Sequence, residues 1–117
     1  MMLNMTHYEF GDVVLVPFPF TDQTTTKKRP AVIVSSKDYQ RERSDLVLIA
    51  VTSQVNPTTD FGEMTITEWK NAGLIKSSII KPVLTTIEKG LVIKKLGKLQ
   101  EIDRQELQNL LQLILGT

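Results

Sequence analysis

The stretch Lys27-Lys28-Arg29-Pro30 carries the most direct chemical potential in this sequence. Pro30 pushes Arg29 toward extended backbone, and Ala31-Val32-Ile33-Val34-Ser35 follows. An uninterrupted apolar run of this kind reads as a strand covered on both faces. The pattern mounts a guanidinium at the start of a rigid element, beside a loop. A rigidly held Arg recognises phosphate, or stabilises charge that develops during phosphoryl transfer. A second polar group, Thr52-Ser53-Gln54, stands where another apolar run ends. In a meander the two positions lie at one rim of a barrel, where a guanidinium and a threonine hydroxyl can flank a scissile phosphate. RNA brings its own nucleophile, the 2′-OH. A site that positions this hydroxyl and stabilises the developing charge cleaves without a metal. Taken singly, neither motif is specific. Lys-Lys-Arg before a strand also suits a solvated surface, and Thr-Ser-Gln after a strand is ordinary turn chemistry.

Other chemistries lack their residues. The 117 residues include no cysteine, which removes disulfides, thiol nucleophiles and Cys-based zinc sites. The one histidine, His7, lies in the first few residues and reads as an exposed tail residue. Two-histidine acid–base catalysis is therefore impossible. The carboxylates form no Asp-x-Asp, His-x-Asp or Glu-x-x-His pattern for a hard metal, and neither a P-loop nor a Gly-x-Gly-x-x-Gly is present. No cofactor is expected. Formal net charge is only +1, so any nucleic-acid site must come from a local cluster of cations. No apolar run approaches the roughly 20 residues of a membrane helix, and residues 1–10 lack the pattern of a signal peptide. A soluble, cytoplasmic protein is the expectation.

The elements that must position Arg29 and Thr52 follow from punctuation and period. Residues 1–9 read as a loose start, and residues 10–117 as one domain. Val13-Val14-Leu15-Val16 is a short buried strand, and Pro17-Phe18-Pro19-Phe20 is expected to stop it. Residues 21–28 are a polar loop. Strands are expected at 30–35, 45–52, 63–66, 78–81, 84–87 and 91–95, with a charged connection at 37–43. Glu68-Trp69-Lys70-Asn71-Ala72-Gly73 fits a helical turn closed by glycine. Trp69 suits a core plug better than a stacking platform. Lys94, Lys95 and Lys98 can form a solvated face or touch phosphates, and the solvated face is the favoured reading. Asp103 and Glu106 have the spacing of a capping box, and Ile102 and Leu107 that of a hydrophobic staple. Leu107, Leu110, Leu111 and Ile114 then mark one face of a helix, with Gly116 as its stop. Many short antiparallel strands and one terminal helix predict a mostly β fold, a small barrel or strongly bent sheet closed by the helix.

Two segments, Gly11-Asp12-Val13-Val14-Leu15-Val16-Pro17-Phe18-Pro19-Phe20-Thr21-Asp22 and Lys28-Arg29-Pro30-Ala31-Val32-Ile33-Val34-Ser35, together resemble the MazF/PemK family of toxin–antitoxin endoribonucleases. Ala50-Val51-Thr52-Ser53-Gln54 continues the likeness, and Ala72-Gly73-Leu74 and Lys76-Ser77-Ser78 extend it more weakly. The resemblance covers essentially residues 10–115. It implies an SH3-like barrel with a C-terminal helix, acting as a homodimer. It implies metal-independent, sequence-selective cleavage of single-stranded RNA to 2′,3′-cyclic phosphate and 5′-OH ends. The family's catalytic Arg falls on Arg29 and its catalytic Thr on Thr52. Lys27, Lys28, Ser53, Gln54, Phe18, Phe20 and Thr21 are the expected RNA contacts, with unpaired bases stacking on the phenylalanines. The loop at residues 18–28 would gate the RNA groove. The C-terminal segment of a cognate antitoxin would occupy that groove, and toxin and antitoxin together would bind DNA.

The chain departs from the family in two places. Many relatives carry Gly-x-Glu in the first loop, where this chain has Gln23-Thr24-Thr25-Thr26, leaving Asp22 as the nearest acid. Many place Gln and Arg where this chain has Val83 and Thr85, with Lys81 and Thr86 nearby. The general base and the cut-site sequence are therefore open. Two alternatives share the same barrel: a non-enzymatic toxin that poisons a protein target, as gyrase-directed relatives do, and an inactive member that only binds RNA.

Overall fold

The structure, a computed structural model, describes residues 7–18 (Phe18 by its backbone) and 27–117. Six antiparallel strands curl into a half-barrel with a helix at the C-terminus. They are β1 (Asp12–Phe18), β2 (Lys27–Ile33), β3 (Asp45–Ser53), β4 (Met64–Thr65), β5 (Ser78–Glu88) and β6 (Lys94–Lys98), arranged β4-β5-β3-β2-β1-β6. Helix α1 (Lys37–Glu42) links β2 to β3, and α2 (Glu101–Leu115) closes the chain.

The apolar runs of β1, β2 and β3 are continuous because both faces of the sheet are covered. Val32, Ile49 and Val51 pack in one cluster with Leu107 and Leu110 of α2, and their strand neighbours Ala31, Ile33, Leu48 and Ala50 pack in a second cluster with Tyr8. Side chains alternate between faces along a strand, so neither face can be polar here. Trp69 is half-buried against the first cluster, as expected, with the Lys70 ammonium 5.5 Å from its ring centroid.

Just before β1, Tyr8 and Glu9 are held against the fold. Tyr8 is buried, and the Glu9 N–H donates to Asp12 Oδ2 at 2.8 Å. The same buried carboxylate meets Lys95 Nζ at 3.3 Å. Burial first, and the nearby Asp12 charge second, push the Tyr8 hydroxyl above its ordinary pKa. His7 is exposed.

Two proline-based boundaries move. β1 runs through Pro17 to Phe18, which pair with Lys28 and Lys27. Among the described residues β6 pairs with residues 12–15 and Pro17 has a partner on one side alone, where a missing N–H is tolerated. The two strands expected at 78–81 and 84–87 are one strand, β5, because the register shift around Ala50 gives Pro82 a place outside the ladder. The strand expected at 91–95 begins later, at Lys94, after a 3-10 turn at Lys89–Leu91.

Helix α2 differs from its expected start. It begins at Glu101, with Gln100 at the cap position, and Ile102 is exposed, so no staple forms. Asp103 is fully buried and caps a different segment. Its two oxygens accept the Thr67 and Glu68 N–H groups, each at 2.8 Å. These donors open the turn at 68–73, whose Ala72 N–H returns to Glu68 O at 3.1 Å. The carboxylate thus supplies from α2 the acceptors that a turn's first amides lack. Gly116 ends α2 as expected, with its N–H on Gln112 O at 2.9 Å.

Candidate functional site

The last rung joining β2 to β3 is Ala31 opposite Ala50. Beyond it the two strands part, and Pro30, which has no N–H to donate, is the first residue past the rung on β2. Arg29 and Thr52 each stand two residues beyond the rung, one on either side of the opening. Arg29 lies inside β2 rather than at its start, paired with Val16 of β1. It is half-buried, with its Nε shielded from solvent.

The opening is a cleft of about 410 Å³. Lys28, Arg29, Thr52 and Ser53 line one side, and Leu74, Ile75 and Lys76 contribute from the loop after the 68–73 turn. Lys94 and Leu96 of β6 complete the lining. Lys94 thus lines the cleft while staying exposed, as Lys95 and Lys98 are. Alternation along β6 separates it from Lys95, which pairs with Asp12. Four cations, Lys28, Arg29, Lys76 and Lys94, and no carboxylate line the cleft among the described residues. With apolar walls beside them, these charges raise the local concentration of a polyanion.

The far wall depends on a backbone-to-backbone crossing. A Cβ on Gly73 would lie 2.1 Å from Leu96 O, and one on Gly97 would lie 2.4 Å from Ala72 O. Gly73 also has φ +90°, a conformation that side chains disfavour. Only glycines let the 68–73 turn rest directly on β6.

Thr52 and Ser53 also line a second cavity, of about 370 Å³, with Gln54, Asn56, Thr58, Asp60 and Lys81. Gln54 is tied internally. Its N–H donates to Ser77 O at 2.9 Å, its side-chain amide donates to Thr65 Oγ1 at 3.4 Å, and its oxygen accepts from Ser77 Oγ at 3.5 Å. Glu63 accepts the Asp60 N–H at 2.9 Å and meets Lys81 Nζ at 3.3 Å. The Asp60 amide first, and Lys81 after it, hold the Glu63 carboxyl below its ordinary pKa against the opposing effect of burial.

The expected RNA contacts thus divide. Lys28 and Ser53 join Arg29 and Thr52 in the cleft, while Gln54 faces the second cavity. Lys27 is exposed at the end of β2, opposite Phe18, and does not line the cleft. Phe20, Thr21 and most of the gating loop lie outside the described residues. Sequence reasoning missed Lys76 and Ile75, which line the cleft just past the crossing at Gly73 and Gly97. Among the described residues no three His, Asp or Glu side chains cluster where they would hold a metal ion. No helix among them is long and apolar enough to cross a membrane.

Residues 9–115 match the family described as PemK-like, MazF-like toxin of type II toxin–antitoxin system. No curated protein sequence matches the chain. Among solved structures, an endoribonuclease from Mycobacterial species in complex with its cognate antitoxin aligns with TM-score 0.74 at 16% identity, over 93% of this chain and 95% of that one. Crystalline MazF from Deinococcus radiodurans aligns with TM-score 0.72 at 20% identity, over 96% and 99%. The Mycobacterium tuberculosis toxin MazF-mt6 aligns with TM-score 0.70 at 14% identity, over 90% and 96%.

Proposed function

The chain belongs to the PemK-like, MazF-like toxin family of type II toxin–antitoxin systems, and from that premise we propose that it is a metal-independent, sequence-selective endoribonuclease of single-stranded RNA. The observation that carries this reading is the meeting of Arg29 and Thr52 in one cationic cleft that no carboxylate lines among the described residues. Several structural neighbours are endoribonucleases, which supports the same reading.

In this reading the RNA 2′-oxygen attacks the adjacent phosphorus and the 5′-oxygen leaves. The products are a 2′,3′-cyclic phosphate and a 5′-hydroxyl. The Arg29 guanidinium binds the pentacovalent phosphorane through paired N–H donors. The Thr52 hydroxyl donates to a nonbridging oxygen. Donors fixed on strands need little reorganisation as charge develops, which is where such groups contribute most to rate. Lys28, Lys76 and Lys94 hold neighbouring phosphates, so binding weakens as salt rises. The same basic, partly apolar cleft suits the C-terminal segment of an antitoxin, and the active form is a homodimer.

The test is direct. Wild type cleaves a long single-stranded RNA in EDTA, and Arg29→Ala does not, with an unchanged circular dichroism spectrum. Full activity in the variant removes Arg29 from the mechanism, and loss of wild-type activity in EDTA removes the metal-free route.

A further inference from the structure

We propose that the second cavity, behind Thr52 and Ser53, is a nucleobase subsite whose stacking platform is Phe61. This inference deepens the endoribonuclease reading and rests on it for the position of the phosphate. Three observations carry it.

Thr52 and Ser53 line both cavities, so a strand whose phosphate sits at Thr52 in the cleft has a flanking nucleoside at the mouth of the second. The two cavities also differ in charge. The cation of the second, Lys81, is paired with Glu63, while Asn56, Thr58 and Asp60 line it with neutral or acceptor groups. Such a lining repels phosphate and suits the edge of a base. Asn56 offers both a donor and an acceptor, and Asp60 offers acceptors only. That set favours a base with an exocyclic amine over uracil.

The third observation is Phe61. It follows Asp60 directly and is 86% exposed. Its backbone surroundings are firm. The Glu63 N–H donates to Asp60 O at 3.1 Å, the Asp60 N–H donates to Glu63, and Gly62 sits against Pro82. An aromatic ring held in solvent on a pinned turn, one residue along the chain from Asp60 of a polar cavity, matches how proteins capture unpaired bases: a π-face stacks while nearby polar groups read the edge. Among the described residues Phe61 packs against little, being 86% exposed, whereas Trp69, the other candidate platform, is half-buried against the core.

The test uses a single-stranded 2′-O-methyl RNA octamer, which lacks the 2′-OH nucleophile and cannot be cleaved. It carries the fluorescent base 2-aminopurine at one position, moved along the octamer in a series. Wild type quenches the probe at one position. Phe61→Ala loses that quenching and binds about tenfold more weakly, while Phe61→Trp retains both. Because Phe61 is exposed, the alanine variant keeps its fold, which circular dichroism checks. Unchanged affinity and quenching in Phe61→Ala overturn the subsite, and so does a wild type that quenches at no position. Cleavage of ordinary RNA in EDTA separates the two readings. If wild type cleaves but Phe61→Ala quenches like wild type, the subsite fails and the enzyme stands. If quenching depends on Phe61 but wild type cleaves nothing, the subsite stands and the enzyme reading fails.

Discussion

The two walls of the cleft are made by different means. The wall with Arg29 and Thr52 continues β2 and β3, strands whose buried residues alternate between two clusters and whose direction is set by ladder pairing. The wall with Leu74, Ile75 and Lys76 is a loop beyond a short turn. It stays in place because a buried carboxylate from α2 holds its first amides and two glycines let it lie on β6. The first wall continues two consecutive, directly paired strands and carries the proposed chemistry. The second is assembled from segments about thirty residues apart and sets the shape of the gap. Chemistry and shape are therefore separable by mutation.

The largest effect is expected on the first wall. Thr52→Val keeps the side chain's shape and removes the hydroxyl, and single-turnover cleavage should slow by about 10²–10³-fold, the usual cost of an oxyanion donor. Denaturant unfolding should hardly change. If rate and stability fell together, the first wall would be structural and the contrast would fail.

On the second wall the order reverses. Gly97→Ala drives a methyl group toward Ala72 O and should cost about 3 kcal/mol of stability, read from urea midpoints, with any loss of cleavage appearing first in KM. Asp103→Asn turns an N–H₂ toward one of the two amides that the carboxylate now accepts and should cost about 2 kcal/mol, read the same way. An Asn variant as stable as wild type would mean that the turn stands without its cap.

The smallest effect concerns Glu63. Its carboxyl pKa is lowered in the folded protein, so its contribution is present above the ordinary glutamate range and disappears as pH falls through the lowered value. Glu63→Gln should therefore be less stable than wild type near neutrality, and the two melting curves should converge in acid. A gap that widened in acid would reverse this assignment.

The first wall was legible in the sequence. The runs at 13–16, 31–34 and 46–51 announce strands buried on both faces, and Pro30 marks the place where β2 leaves β3. Leu107, Leu110 and Gly116 disclose α2 just as clearly. Thr52 as the partner of Arg29 came from the family resemblance. The second wall was not legible. Asp103 has the spacing of a cap for its own helix, and only the tertiary fold brings it to Thr67 and Glu68. Lys94 and Lys95 look alike in sequence, yet alternation sends one to the cleft and the other to Asp12. Pro82 resembles a strand break until the register shift beside Ala50 absorbs it. Phe61 looks like a stray surface aromatic until its neighbour Asp60 is found to line a cavity.

At the crossing of Gly73 and Gly97 nothing but main chain separates the turn from β6. There the spacing between the turn and β6 is set by main-chain contact, so no rotamer change can alter it. The seat of the loop that carries Leu74, Ile75 and Lys76 is therefore independent of which side chains face the cleft.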